Sequence, residues 1–164
     1  MAPRGPSKAK VRRGMNPSPT IHASAVLVGA RAVLIQGPAG SGKSRLALAL
    51  IAAGRQGLIP FARLVADDRA HVEAAHGRLL VRPAPALAGL IEVRGLGIRR
   101  VAFEQLAAVG VLVELGAKDA ERLPAPSRTQ AVVAGIALPR LAVAAGADAL
   151  PLVLAYLESS ENRG

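Results

Sequence analysis

The chain has 164 residues, of which 51% are hydrophobic and 20% charged, and this balance predicts one folded domain of ordinary size. Aromatic residues make up only 2%, which disfavours proteins that bind nucleic acid by stacking bases on a platform of rings. The absence of cysteine excludes disulfide scaffolds and thiolate chemistry, and three histidines disfavour a histidine-rich metal centre.

The net charge of +10 is concentrated at the start of the chain. Residues 1–66 hold ten Lys and Arg and no acid, whereas the remainder holds eleven basic and eleven acidic residues. Residues 1–20 mix basic residues with Pro, Gly and Ser, which predicts a basic disordered tail. Met15 is an alternative natural start, because the foldable pattern begins after it. We expect a solvated tail, and nucleic-acid binding ranks last among the functions considered.

The sequence shows no targeting or membrane segment. No apolar stretch of the kind found in secretory signals follows the basic tail. Pro139 and Arg140 interrupt the most apolar region, residues 131–147, and no apolar run reaches the roughly 18 residues that a membrane helix needs. We therefore expect a cytoplasmic protein without a membrane partner.

Apolar runs and breakers predict a small α/β domain over residues 21–159, with 160–164 as a disordered end. Residues 22–28 and 32–36 are expected to form two paired strands. A Leu- and Ala-rich helix follows over 43–53, with Gly54 as its C-terminal stop. Further short strands are predicted at 63–66, 79–82, 91–93, 111–115 and 141–145, and a last helix over 148–157 has Asp148 as its N-cap and Pro151 in its first turn.

Residues 37–44 read GPAGSGKS and match the phosphate-binding motif G-x-x-x-x-G-K-[ST] in full. A predicted strand precedes this loop and a predicted helix follows it, as the motif requires. Glycines let backbone N–H groups turn towards a polyphosphate, Lys43 reaches the β- and γ-phosphates, and the Ser44 hydroxyl ligates Mg²⁺. The motif predicts a nucleoside triphosphate site rather than an ordinary turn. Its residues are Gly37, Pro38, Ala39, Gly40, Ser41, Gly42, Lys43 and Ser44.

Two adjacent carboxylates, Asp67 and Asp68, close the apolar run 64–66. Phosphoryl transfer needs carboxylates to hold Mg²⁺ and to accept a proton from the attacking hydroxyl. Neighbouring side chains of an extended chain point to opposite sides, so the two acids are expected to have different roles. A solvated Asp-Asp turn explains the pair equally well at this point.

Residues 91–98 read IEVRGLGI and place a carboxylate and an arginine around a glycine-bearing turn. Glu92 could ligate a metal and Arg94 could meet a phosphate, although a surface ion pair on a strand and turn is an equal explanation. His22 begins the first predicted strand, where a lone histidine is more often structural. His71 and His76 are expected to flank a hairpin turn in solvent.

Taken in order, His22, GPAGSGKS, LVADD at 64–68 and IEVRGLGI at 91–98 resemble the catalytic domain of HPr kinase/phosphorylase. This bacterial enzyme acts on a serine of the phosphocarrier protein HPr. The resemblance covers about residues 21–146, without the family's usual N-terminal domain, as in compact alphaproteobacterial forms. It implies a P-loop domain with a mixed sheet, like that of phosphoenolpyruvate carboxykinase, and assembly as a homo-hexamer.

The resemblance also implies roles for individual residues. Lys43 and the loop amides would hold the ATP phosphates, and Ser44 with Glu92 would hold Mg²⁺. Asp68 would be the general base toward the serine hydroxyl, and the acid in the reverse direction. Asp67 would assist at the metal or orient Asp68.

Two more residues enter through the resemblance, and two departures limit it. His22 matches an active-site histidine, and Arg122 in ERLP matches a catalytic arginine that offsets charge on the transferred phosphoryl group. Arg45 follows the loop where the family typically has an acid. Residues 141–146, LAVAAG, replace a segment linked to phosphorolysis, so kinase activity is favoured over phosphorylase activity.

The sequence therefore predicts an ATP- and Mg²⁺-dependent serine kinase that acts on an HPr-type phosphocarrier of the phosphotransferase system. Phosphorolysis is a further activity that the resemblance implies. A small-metabolite P-loop kinase is the second hypothesis, although no arginine-rich lid segment follows residue 110. A non-catalytic ATP-binding sensor is the third, because the end of the chain departs from the family.

Overall fold

The computed structural model describes residues 19–161, so most of the predicted tail and residues 162–164 lie outside the described part. The described chain contains ten strands and two α-helices. The strands are β1 (Thr20–Val28), β2 (Arg31–Gln36), β3 (Ala62–Ala66), β4 (Arg69–Ala75), β5 (Arg78–Pro83), β6 (Leu90–Val93), β7 (Gly97–Arg100), β8 (Ala107–Leu115), β9 (Gln130–Val133) and β10 (Ile136–Val143). The helices are α1 (Lys43–Arg55) and α2 (Leu150–Glu161), with short 3₁₀ turns at Pro85–Leu87 and Pro126–Arg128.

The predicted strands all fall within observed ones, except that β10 ends at Val143, two residues before its predicted end. Strands β4, β7 and β9 were not predicted. All four residues of β7 are exposed, so the strand lacks the buried apolar face from which a strand is predicted. In β4 the inward residues are Ala70 and Val72, and an alanine makes the alternation weak. His71 lies inside β4 opposite Thr20, which corrects the prediction that it flanks the hairpin turn.

Five strands close into a ring in the mixed sheet. β1 pairs with β2 and β4, β4 with β5, and β5 with β8, all antiparallel, and a parallel pairing between β8 and β2 completes the circle. β10 adds to β8 in parallel, and β9 pairs with β10. Because β2, β8 and β10 run in the same direction, their carboxyl ends meet at one edge, where the phosphate loop begins.

The sheet separates two apolar cores. One core is rich in alanine and lies on the inner face of the ring, where the closed sheet leaves little room for large side chains. The other lies between the outer face and the two helices, and includes Ile35, Leu50, Val113 and Val153. The register between β2 and β8 shifts at Gly110, whose missing Cβ leaves room for the Arg31 side chain. The described residues include no helix long and apolar enough to cross a membrane.

Gly54 does not end α1 as the sequence predicts; the helix continues to Arg55. A Cβ at Gly54 would lie 2.7 Å from the Cβ of Ala62, the first residue of β3. The glycine therefore serves a close contact between helix and strand. The turn out of the helix falls instead at Gly57, whose φ is +76°.

This contact predicts that Gly54→Ala destabilises the protein by about 1–3 kcal/mol, because the added methyl group overpacks against β3. Helix propensity alone has the opposite sign and would favour alanine by about 1 kcal/mol. Urea unfolding of Gly54→Ala and of the exposed control Ala52→Gly measures both effects. The control should lose about 1 kcal/mol by propensity. A stabilised Gly54→Ala would contradict the contact.

The second helix begins close to its predicted start. The Asp148 carboxylate accepts a hydrogen bond from the Leu150 N–H at 3.1 Å, and the Ala149 carbonyl accepts the first helical bond, from the Val153 N–H. By the first helical bond the N-cap position is Ala149, one residue after the prediction, and the Asp148 side chain still supplies a capping hydrogen bond to the first turn. Pro151 lies in the first turn as predicted.

Candidate active site

The phosphate loop joins β2 to α1 and has the predicted conformation. Gly40 and Gly42 have φ of +76° and +99°, the left-handed region in which a side chain is strained. The Ser41 N–H donates to the Pro38 carbonyl at 3.0 Å, which closes the turn. The Gly42 carbonyl accepts the first helical hydrogen bond, from the Leu46 N–H. The amino end of α1 therefore opens directly at the loop, where its partial positive charge favours an anion.

Lys43 lies over this loop with its side chain folded back. The residue is 8% exposed, and its Nζ donates to the carbonyls of Gly37 and Pro38 at 2.9 and 3.1 Å. An ammonium group has three donors, and the hydrogen bonds described for Lys43 use two of them. The third donor and the full charge are available to an anion above the loop.

Ser41 gives a further sign that the loop is built for a ligand. Its Oγ is buried and has no hydrogen-bond partner within the described residues. A buried hydroxyl without a partner is unfavourable, so an anion accepting this hydrogen bond would stabilise the loop. The residues present thus fit a bound polyphosphate.

Asp67 connects three elements of the fold. It is 6% exposed, and its Oδ1 accepts hydrogen bonds from the Ser44 Oγ at 2.7 Å and the Ser24 Oγ at 2.8 Å. Its Oδ2 accepts one from the Glu92 N–H at 3.1 Å. The carboxylate therefore joins the phosphate loop to β1 and β6, directly beside the hydroxyl that the motif assigns to Mg²⁺.

Asp68 has a different environment from Asp67, as predicted, but strand alternation is not the cause. The strand ends at Ala66, so the two acids are not neighbours on extended chain; Asp68 lies in the turn before β4 with φ of +66°. Aspartate tolerates this conformation better than most residues. Its side chain is exposed, while its N–H donates to the Ser24 Oγ at 3.2 Å. One acid is held and buried, and the next is free to meet a substrate.

His22 and Glu92 lie around this pair. His22 is exposed on β1, its register partner is Arg69, and the neighbouring Ala23 N–H donates to the Asp68 carbonyl. Glu92 is exposed on β6, with its amide bonded to Asp67. The structure therefore gathers five predicted residues at one place: His22, Ser44, Asp67, Asp68 and Glu92.

Arg122 is not brought into this group. It is exposed on the segment after β8 and lines a cavity of about 250 Å³ together with Arg128, Arg140 and Tyr156. Within residues 19–161, no hydrogen bond or ion pair joins it to the phosphate loop, Asp67 or Asp68.

The donor set around Asp67 suits Mg²⁺ held jointly with phosphates. Within residues 19–161, no group of three or more His, Cys, Asp and Glu side chains is arranged to hold a metal ion. Mg²⁺ in kinases is usually held by one or two carboxylates plus substrate phosphates. The Ser44 hydroxyl and Asp67 supply that kind of partial set, and Glu92 adds a carboxylate on the residue whose N–H bonds Asp67.

Sequence reasoning missed a network around Arg140. Its Nε donates to Glu114 at 2.7 Å, and its two terminal nitrogens donate to both carboxylate oxygens of Asp119 at 3.0 and 2.8 Å. It also donates to the Arg128 carbonyl, so one side chain ties β8, β10 and the segment after β8 together. Hydrogen bonding to Arg140 lowers the pKa of Asp119, and the same pairing raises the pKa of Arg140. The only sequence signal was a cation inside an apolar run.

This pairing predicts a pH-dependent contribution of Asp119 to stability. Its folded-state pKa lies below the usual 3.8, so the stabilisation is present above about pH 4 and is lost as the pH falls through the lowered pKa. Thermal unfolding between pH 7 and pH 2 should show Asp119→Asn less stable than the wild type at neutral pH, with the gap closing in acid. Glu121→Gln, which breaks an exposed pair with Arg128, should change little. A gap for Asp119→Asn that persists in acid would contradict the pairing.

Comparison with known proteins decides the family. The sequence model of the family described as HPr serine kinase C-terminal domain matches residues 13–144 of this chain. The chain belongs to this family. The resemblance drawn from the motifs is thereby confirmed, together with the P-loop kinase fold and its mixed sheet.

Individual members of the HPr kinase family agree with this assignment. HPr kinase/phosphorylase of Streptococcus thermophilus is 44% identical over 80 residues, which are 48% of this chain and 24% of the relative. The enzyme of Clostridium beijerinckii is 39% identical over 82 residues, 50% of this chain and 25% of the relative. The chain therefore matches about a quarter of the length of these relatives. The structure of the Hpr(Ser) kinase/phosphatase from Coxiella burnetii matches with a TM-score of 0.69 and 25% identity, covering 89% of this chain and 98% of that one.

Proposed function

We propose that this protein is an ATP- and Mg²⁺-dependent serine kinase that phosphorylates an HPr-type phosphocarrier protein of the phosphotransferase system. The observation that carries the proposal is the hydrogen bond from the Ser44 hydroxyl to the buried Asp67, which is followed directly by the exposed Asp68. This arrangement supports a metal-holding role for Asp67 and Ser44 and a substrate-facing role for Asp68. Family membership and the names of the relatives support the same reaction.

In this proposal the chain's own residues would supply the binding functions that the reaction needs. Lys43 and the loop amides would hold the phosphates of ATP, and the Ser44 hydroxyl with Asp67 and Glu92 would hold Mg²⁺. When bound, Mg²⁺ would neutralise negative charge on the phosphate oxygens. Both the lysine and the amino end of α1 add fixed positive charge at that point.

Asp68 would act as the general base in this proposal. Its exposed carboxylate would accept the proton of the attacking serine hydroxyl, and in phosphorolysis it would return a proton to the departing serine. His22 lies beside the same turn and would contact the substrate or Asp68. Arg122 and a hexameric assembly enter the proposal through the resemblance alone.

The exposure of two site residues supports a macromolecular acceptor. Asp68 and Glu92 are both exposed at the surface of the protein. A serine on a protein can reach such a surface, whereas a metabolite kinase needs an enclosing acceptor pocket.

The experiment that separates the hypotheses follows the label from γ-labelled Mg-ATP. The protein is incubated with the macromolecular fraction and, separately, with the small-molecule fraction of cells of its own organism. We expect label on a phosphocarrier protein, at serine, and none with Asp68→Asn. Label only in the small-molecule fraction would indicate a metabolite kinase, and ATP binding without any transfer would indicate a sensor.

A further inference from the structure

Ser24 is a buried polar residue to which the proposed reaction gives no role. It lies in β1, fully buried, and shares that burial in the described core with two polar residues of the site, Lys43 and Asp67. A buried hydroxyl is unfavourable unless it is hydrogen-bonded, so its presence between Ala23 and Ala25 calls for partners. Both partners belong to the candidate active site.

One hydroxyl group serves both aspartates. The Ser24 Oγ donates its proton to the Asp67 Oδ1 at 2.8 Å and accepts a hydrogen bond from the Asp68 N–H at 3.2 Å. A hydroxyl carries one donor and two acceptor lone pairs, so the two bonds use different parts of the group and coexist. Ser24 thus holds the side chain of the first acid and the backbone of the second.

We propose that Ser24 is a positioning residue for phosphoryl transfer, acting through Asp67 and Asp68; the proposal deepens the proposed kinase function and rests on it. The bond to Asp67 fixes the carboxylate on the oxygen that also meets the Ser44 hydroxyl. The bond from the Asp68 N–H satisfies a donor in a turn whose φ of +66° is intrinsically unfavourable. Together the two bonds set the distance and direction between metal-holding and proton-accepting groups.

Removal of the hydroxyl affects both acids at once. In Ser24→Ala the Asp67 Oδ1 keeps only the Ser44 hydroxyl, and the Asp68 N–H loses the one acceptor described for it. Because a hydrogen bond to a charged group is among the stronger ones, we expect kcat to fall about tenfold or more. We expect KM for the carrier to change little, since Ser24 is buried and does not touch it.

The test compares three variants of the full chain. Ser24→Ala removes the hydroxyl, and Ser24→Thr retains it. Ala25→Gly is a control on the same strand that lowers stability and removes no hydrogen bond to either aspartate. The readouts are kcat and KM for carrier phosphorylation, thermal unfolding, and the affinity for Mn²⁺ measured with a non-hydrolysable ATP analogue. We expect Ser24→Ala to lose kcat and about fivefold or more in Mn²⁺ affinity. Ser24→Thr and Ala25→Gly should keep both.

Two results would overturn the positioning role. One is a folded Ser24→Ala with wild-type kcat and Mn²⁺ affinity. The other is an Ala25→Gly control that loses as much as Ser24→Ala, which would show a general effect of stability. If Ser24→Thr does not fold, these two variants still decide the question. If the wild type transfers no phosphate to the carrier while Ser24→Ala still loses Mn²⁺ affinity, the proposed function fails and the positioning of Asp67 stands.

Discussion

Replacing Asp68 by Asn should lower phosphoryl transfer to the carrier by about 10²–10⁴-fold and leave ATP binding nearly unchanged. The amide cannot accept the proton of the serine hydroxyl, but it occupies the same volume and keeps the backbone bond from the Asp68 N–H to Ser24. The side chain is exposed, so the change removes no buried contact. Transfer is measured with γ-labelled Mg-ATP, and binding by calorimetry with a non-hydrolysable analogue.

Asp148→Asn is the matched control for this variant. Asp148 is also exposed, and its carboxylate accepts a hydrogen bond from the Leu150 N–H at the start of α2. It should lose a little stability and keep full transfer. Wild-type turnover in Asp68→Asn would assign the proton acceptor to another group, and His22 is the neighbouring candidate.

Replacing Lys43 by Ala should weaken both ATP binding and transfer. The variant removes a buried positive charge from the loop and leaves the carbonyls of Gly37 and Pro38 without their donor. We expect a loss of about 10²–10³-fold in kcat, the range found when one donor to developing charge is removed. ATP affinity should fall by about tenfold or more, because bonds from a charged donor are lost.

Arg55→Ala provides the control for charge alone. Arg55 lies at the other end of the same helix and is exposed. Its removal should leave transfer and ATP affinity close to the wild type. Unchanged ATP affinity in Lys43→Ala would contradict the assignment of residues 37–44 as a phosphate loop.

Local sequence predicts the phosphate loop well because its chemistry is local. Gly40 and Gly42 adopt conformations that favour glycine, and Lys43 and Ser44 follow on the first turn of α1. The short strands that have buried apolar residues are also predicted, because their apolar runs are visible in the local sequence. β7 and β9 are not predicted, because β7 is exposed throughout and β9 has only two partly buried side chains, Ala131 and Val133, against the inner core.

Contacts between distant residues could not be predicted from one sequence. Ser24 and Asp67 are 43 residues apart, and their hydrogen bond exists because β1 pairs with β3. The sequence distinguished Asp67 from Asp68 by strand alternation, whereas the structure separates them by a turn with left-handed backbone. Arg140 and Asp119 likewise meet only through the parallel pairing of β8 and β10. The residue types predicted which kind of chemistry the site carries. Which groups contact each other depends on the pairing of the strands.

The most direct measurement of the central claim uses the purified HPr-type carrier of the same organism. The carrier is incubated with this protein and Mg-ATP, and mass spectrometry locates the phosphate. We expect one phosphoserine on the carrier, formed by the wild type and lost with Asp68→Asn at equal ATP occupancy. An unmodified carrier with ATP bound to the wild-type protein would contradict it.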